Sequence, residues 1–356
     1  MAEFSLTFKI DVEQPENGIR ELLKTIRPLW IPEKIQIEAL SGGYSSKIFR
    51  VLSNDHPDNA MTIRICCLPD SMRSTNFKNN LEPDVLQYLS KVGHFPKMVV
   101  IFANGYGYEF IKGKPVIDAK RKTGVVTDKI IIATAKEMAA IHNLEIEKIF
   151  SCKERPLSAK IAEEFSTNTE MFESDGNVPS KATMLKEIAF LDELKHQSNS
   201  PVGLCHGDAH YGNFIWNEEK EKITFIDWEC TCIGLLYEDI ACFVQNCDFY
   251  EIMEIDNPAE KSITMPIDGD NTFLNSYFHE ACHLKKQSFS EEDLNKFKAS
   301  IRKFRLIPLF GTIIAIFVFP DIMKSYAGNL SSVLEQLVKK YLQLKEEVLG
   351  IKGFET

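Results

Sequence analysis

The spacing of apolar residues changes character once along this chain, near residues 112–115, and that change limits what it can fold into. Before it, runs at 34–40, 47–53, 61–67, 97–103 and 106–111 are rich in Ile, Val and Phe and are separated by turn residues, the pattern of β-strands. Two stretches there carry helical spacing: 18–27, which stops at Pro28, and 79–92, with Asn80 as cap and Pro83 in its first turn. After it, 129–147, 182–197, 290–305 and 329–348 are helical in pattern, interrupted by a β-like island at 202–229. The expectation is an α+β fold of two lobes, a small β-rich one over 1–111 and a large, mainly helical one over 112–356. A chain of 356 residues can bury its core without disulfide or metal staples.

Charge and cysteine usage narrow the function. The 41 Lys and Arg against 51 Asp and Glu give a net charge of −10, which argues against a dedicated nucleic-acid binder. A small phosphate ligand needs only a few local donors and stays open. Nine cysteines, with Cys66 and Cys67 adjacent and Cys230 and Cys232 one residue apart, form no regular framework and are expected as reduced thiols in the cytoplasm. The opening MAEFSLTFKIDVEQPENG lacks the basic-then-apolar pattern of a secretory signal. The longest apolar run, 306–319, contains Pro308 and Gly311 and falls short of the ~20 residues that cross a bilayer, so a buried core helix is expected.

The most informative segment is 204–239, LCHGDAHYGNFIWNEEKEKITFIDWECTCIGLLYED. It reads as strand, loop, strand, turn, strand, then Asp227. The loop carries His206, Asp208 and Asn213, with Gly212 relaxing the backbone before Asn213. A hairpin returns Asp227 close to Asn213. Phosphoryl transfer needs these parts: one Asp to accept or orient the proton of an attacking hydroxyl, and an Asn oxygen with a second Asp to hold Mg²⁺ against nucleotide phosphates. Taken singly, Asp208 could cap a turn and Asp227 end a strand. The combined H-G-D-x4-N pattern followed by an apolar strand and Asp favours function.

The first lobe offers an independent piece. Residues 41–47, SGGYSSK, lie between two strand-like runs, and their glycines, hydroxyls and N–H groups could cradle phosphates. No Walker A pattern is present, and a plain hairpin turn is the alternative. Arg64, flanked by Ile63 and Ile65, needs either a partner or an exposed edge. Glu82 in the following helix would supply the partner and place the guanidinium for phosphate binding.

Together these motifs resemble the choline/ethanolamine kinase family, within the wider aminoglycoside-phosphotransferase-like kinases. The resemblance is carried by LSGGYSSKIF at 40–49, TIRI at 62–65, the helix from Glu82, and YEFIKGKP at 108–115. It continues in CHGDAHYGN at 205–213, IDWE at 226–229 and EDI at 238–240, over about residues 35–345. It implies a bilobal protein-kinase-like fold with a nucleotide-binding first lobe and a catalytic, substrate-binding second lobe. The implied activity is ATP- and Mg²⁺-dependent phosphorylation of the hydroxyl of choline and/or ethanolamine, the first step of phospholipid head-group synthesis. Residue by residue, Asp208 becomes the catalytic base, Asn213 and Asp227 the Mg²⁺ ligands, and Glu229 a further metal-side candidate. Arg64, steadied by Glu82, binds ATP phosphates under a loop containing Ser41, Gly42, Gly43, Ser45 and Ser46, and backbone at Glu109, Phe110 and Ile111 holds adenine. Asp239 braces the catalytic loop and His206 pins it. The implied partner is a small amino alcohol, with no nucleic acid and no integral membrane segment; homodimers are common in the family.

The departures concern the acceptor. Choline-binding members tend to carry two tryptophans on a helix of the second lobe, where this chain has Gly311 and Ile314. Tyr250, Phe249 or Phe310 are the candidate replacement rings. A kinase for another small hydroxyl compound, of the aminoglycoside-phosphotransferase type, is one alternative, and a catalytically silent binding protein on a kinase scaffold another. His279-Glu280-Ala281-Cys282-His283 matches the H-E-x-x-H zinc pattern, but Lys285 and Lys286 follow and no third ligand motif appears, so a surface helix is expected. The polar stretch 255–272 is read as a connector, with a loop near the acceptor site as the alternative.

Overall fold

The computed structural model describes residues 2–40, 46–67, 81–123, 125–145, 156–168, 179–253, 267–320, 323 and 330–354. They form two compact units, Met1–Gly113 and Lys114–Thr356.

The first unit is built on strands β1 (Phe4–Ser5), β2 (Ile35–Leu40), β3 (Ser46–Ser53), β4 (His56–Cys66), β5 (Met98–Phe102) and β6 (Gly105–Glu109). They join in the order β1-β5-β6-β4-β3-β2, antiparallel except for β1 against β5. Helix α1 (Pro15–Ile26) buries Ile19, Leu22, Leu23 and Ile26 in one cluster with Val51, Met61, Ile63, Ile65 and Val100. That helix face follows from apolar residues at three- and four-residue spacing. Helix α2 (Glu82–Val92) starts on Pro83 in its first turn and stops at Gly93, whose φ of +91° suits glycine. The predicted Asn80 cap lies outside the described residues; Leu81 holds the cap position. Strand β4 also begins earlier than its pattern suggests. His56–Ala60, expected as part of a linker, extends the strand beyond the Asn54-Asp55 turn on an exposed overhang where no apolar alternation marks it.

The second unit holds β7 (Lys114–Pro115), α3 (Val116–Thr123), α4 (Asp128–His142), α5 (Leu157–Asn168), α6 (Lys181–His196), β8 (Val202–Cys205), β9 (Phe214–Asn217), β10 (Lys222–Phe225) and β11 (Cys232–Leu235). Then follow α7 (Leu236–Met253), α8 (Ile267–Leu284), α9 (Glu291–Phe304), α10 (Leu306–Val318) and α11 (Leu330–Leu349). Its sheets are small: β10-β9-β7 and β11-β8. Stacked Phe214 and Phe225, with ring centres 4.2 Å apart, anchor the first of them, and Phe243 and Phe273 pack alongside. Helix α10 is the apolar run expected as a core helix, and eight of its residues are buried. Among the described residues no helix is long and apolar enough to cross a membrane. Helix α11 is tied in by a fully buried ion pair: Lys345 Nζ donates to Glu187 on α6 at 2.7 and 3.0 Å, and Tyr341 donates to the same carboxylate.

Candidate active site

The loop between β8 and β9 is fixed at several points. Gly207 has φ +82°, and a Cβ there would lie 2.1 Å from the Cys230 carbonyl oxygen, so only glycine fits. The Asp239 carboxylate accepts the N–H groups of His206 at 2.9 Å and Gly207 at 2.8 Å. His142 Nε2 lies 3.1 Å from the same carboxylate, and His142 Nδ1 is 2.8 Å from the Tyr277 hydroxyl. Burial pushes the Asp239 carboxyl up, but the bond to His142, the neighbouring imidazoles of His142 and His206 and the Gly207 N–H outweigh it and hold it below its ordinary value. His206 Nε2 donates to the Ile226 carbonyl at 2.9 Å while its Nδ1 accepts from the Asp208 N–H at 3.3 Å, which sets the tautomer. Both residues therefore brace the loop.

These braces present Asp208. Its side chain is 41% exposed, so it is free to meet a ligand. Asn213 Nδ2 donates to the Asp208 carbonyl at 3.0 Å and reaches its carboxylate at 3.5 Å. His210 Nε2 lies 3.7 Å from Asp208 Oδ2, and His210 Nδ1 accepts from the Gly212 N–H at 3.0 Å. Burial raises the Asp208 pKa, yet the contact with His210, the neighbouring imidazoles of His210 and His206 and the Asn213 amide outweigh this and leave it lowered. His210 moves oppositely: burial lowers its pKa, but Asp208 and then Asp227 raise it above the ordinary value. Asp208 is thus a carboxylate at neutral pH, able to accept a hydrogen bond from a hydroxyl. Nearby thiols are not rival nucleophiles, because burial pushes Cys230 and Cys242 well up and keeps them protonated.

The hairpin of β9 and β10 brings the second acid back. Phe214 pairs with Phe225, and the Ile226 N–H donates to the Asn213 carbonyl at 2.9 Å, which sets Asp227 beside Asn213. Asp227 takes a left-handed backbone, φ +62° and ψ +63°, at the start of the turn Trp228–Cys230. Asp tolerates this region better than most residues, and such outliers gather at functional sites. With its amide nitrogen engaged by Asp208, Asn213 offers its amide oxygen, and that oxygen and the Asp227 carboxylate are hard donors of the type Mg²⁺ takes. Glu229 is half-buried on the following turn.

The first unit brings Arg64, Ser46 and Glu82 together. Arg64 is 6% exposed; its Nε donates to Ser46 Oγ at 3.0 Å and its Nη1 to Glu82 Oε1 at 3.0 Å. A third partner escaped the sequence reading: Tyr106 accepts from Arg64 Nη1 at 3.3 Å and donates to Glu82 at 2.7 Å. Its signal was register, since Tyr106 on β6 lies directly opposite Arg64 on β4. Ser41, Gly42, Gly43 and Ser45 lie outside the described residues. At Glu109–Ile111 the N–H of Glu109 is taken by the Lys97 carbonyl and that of Phe110 by the Ala60 carbonyl. Among the described residues the Ile111 N–H enters no backbone hydrogen bond, which makes it the free donor of the three.

A cavity of about 290 Å³ in the second unit is lined by Asp208, Glu238, Ser158, Cys242, Gly311 and Thr312 among others. Gly311 opens onto it, and a Cβ there would meet nothing within 4 Å. Ile314 is buried and is not part of the lining. Phe310 is turned into the core against Tyr341, ring centres 5.0 Å apart, and does not replace a missing indole. The side chains of Phe249 and Tyr250 lie outside the described residues, as does most of the 255–272 stretch. The H-E-x-x-H pattern lies on α8, where His283 is 81% exposed and 3.8 Å from Glu280. Among the described residues no three His, Cys, Asp or Glu side chains are grouped to hold a metal.

The fold is of the protein-kinase-like class. It is similar to the choline kinase of Cryptosporidium parvum Iowa II, with a TM-score of 0.69, 19% identity, and coverage of 94% of this chain and 96% of that one. An ethanolamine kinase of Plasmodium vivax matches with a TM-score of 0.66, 15% identity, and 96% and 93% coverage. At those identities the likeness is one of fold. The sequence then fixes the family: the choline/ethanolamine kinase family model matches residues 37–318, and the chain belongs to that family. Ethanolamine kinase 1 of Mus musculus is 26% identical over 231 residues, 63% of this chain and 61% of that protein. A probable ethanolamine kinase of Nematostella vectensis is 24% identical over 307 residues, 83% and 81%. The match thus spans about three-fifths of the mouse relative's length.

Proposed function

We propose that this chain transfers the γ-phosphoryl group of ATP to the hydroxyl of a small amino alcohol of the ethanolamine or choline type, feeding phospholipid head-group synthesis in the cytoplasm. The single observation that carries the reading is Asp208: ionised, accessible, on the wall of a small cavity, and braced by Asn213, His206 and Asp239 through their hydrogen bonds. The names of the relatives support the acceptor class.

In this reading the alcohol hydroxyl docks against Asp208 Oδ. As the new O–P bond forms, Asp208 takes the hydroxyl proton; the bond from the γ-phosphorus to the β–γ bridging oxygen breaks, and ADP leaves. Arg64, held rigid by Ser46, Glu82 and Tyr106, binds phosphate oxygens, and the Ile111 N–H serves adenine. Asn213 and Asp227 would hold Mg²⁺, with Glu229 as a further candidate; when bound, the ion neutralises charge on the phosphate oxygens. A homodimer is part of the same family-based reading.

The test is an acceptor screen on the full chain with Mg·ATP, in which the phosphorylated product is identified directly. The panel holds ethanolamine, choline, their methylated intermediates, sugars and aminoglycosides. Phosphorylated amino alcohol is the expected product. Product from a sugar or aminoglycoside alone would move the chain to the wider phosphotransferase class, and Mg·ATP binding with no product would make it a silent scaffold.

A further inference from the structure

The cavity beside Asp208 holds a second acid that the phosphoryl-transfer reading leaves unused. Glu238, at the start of α7, is 8% exposed and lines the same cavity. Its Oε1 accepts the Ser158 hydroxyl from α5, while its Oε2 is buried with no hydrogen-bond donor among the described residues. A carboxylate oxygen taken out of water without a donor is costly, and a donor entering the cavity relieves that cost. The neighbouring acid is already committed, because Asp239 spends both oxygens on the His206 and Gly207 N–H groups and on His142. Glu238 is therefore the acid of this wall with capacity to spare.

The rest of the lining sharpens what that donor is. No Phe, Tyr or Trp lines the cavity among the described residues. Gly311 leaves space where an aromatic ring could stand, and the Phe310 ring is packed away from it. A quaternary ammonium is bound through aromatic faces and has no N–H to offer. A primary ammonium donates three N–H bonds and suits a carboxylate. Of the three acids that line the cavity, Asp239 is committed to the loop, and the other two, Asp208 and Glu238, match a ligand with a hydroxyl at one end and an N–H-bearing cation at the other.

We infer that Glu238, positioned by Ser158, is the ammonium-binding carboxylate of this cavity and selects primary over quaternary amino alcohols. This rests on the phosphotransferase reading above and adds to it a residue and a rank order of substrates. Ethanolamine, its mono- and dimethyl derivatives and choline carry three, two, one and no N–H donors.

The test measures kcat and KM for these four alcohols with the full chain, quantifying the phosphorylated product. Wild type should lose kcat/KM at each methylation, by about 100-fold from ethanolamine to choline. Glu238→Gln should raise the ethanolamine KM about 100-fold, leave kcat and the KM for Mg·ATP within about threefold, and bring ethanolamine and choline close together. A folded Glu238→Gln with an unchanged ethanolamine KM overturns the inference. So does a wild-type series that is flat or rises toward choline, and that arm decides the matter even if the variant does not fold. Ethanolamine turnover with a flat series sinks this inference alone. No product from any of the four sinks the phosphotransferase reading and this one with it.

Discussion

At the scale of single residues, one carboxylate organises the β8–β9 loop from behind. Asp239 is 3% exposed, and its oxygens gather two backbone N–H groups and an imidazole. Because its pKa in the folded chain lies below the unfolded value, the stability it contributes is full above the unfolded pKa of about 4 and is lost as pH falls through the folded one. Asp239→Asn should cost about 3–5 kcal/mol at pH 7, since it leaves the loop N–H groups and His142 short of a charged acceptor. It should also flatten the stability curve between pH 4 and the acid limit. Denaturant titrations of both proteins at pH 7 and at pH 3 check this, and equal losses at the two pH values would contradict it. The same scale shows what the sequence made legible. Arg64 between two isoleucines needed a partner or an exposed edge, and Glu82 supplies the partner at 3.0 Å. Tyr106 and Glu238 were not legible, because each acts through a partner distant along the chain: Arg64 across a strand pair, and Ser158 from another helix.

Among elements, α10 carries the clearest prediction. The apolar run 306–319 announced a buried helix, and the helix Leu306–Val318 forms with Arg305 as its cap and Pro308 in its first turn, where proline costs little. Which of its residues faced a cavity depended on packing against α5, α7 and α11, and no local pattern records that. Gly311 pays the entropic cost of glycine inside a helix while its Cβ position is empty to 4 Å. Gly311→Ala should therefore stabilise the chain by about 0.5–1 kcal/mol, read as a rise in the denaturant midpoint with unchanged slope. Gly311→Trp adds a ring at the same cavity wall and should narrow the preference for ethanolamine over choline. A destabilised Gly311→Ala would mean the space beside α10 is already filled. The strand β4 shows the opposite limit: its polar overhang at His56–Ala60 escaped the alternation rule because neither face of it is buried.

For the whole molecule, the fold class followed from one change of periodicity, because sheet and helix spacing are written into different stretches of chain. Each of the two units has its own apolar interior. The arrangement of the candidate site was legible where a motif is local, as in the run from His206 to Asn213 and the hairpin that returns Asp227. The acceptor was not, because the walls of the cavity proposed for it come from α5, α7, α10, β11 and the β8–β9 loop, among others. The roles proposed for Arg64 and Asp208 fall in different units, so nucleotide binding and turnover should separate on mutation. The most direct measurement is single-turnover transfer to ethanolamine by Asp208→Asn, with Mg·ATP affinity measured on the same preparation by calorimetry. The account predicts an affinity within about threefold of wild type and a transfer rate lower by about 10²–10⁴-fold. Transfer at the wild-type rate would contradict it, whatever the other residues do.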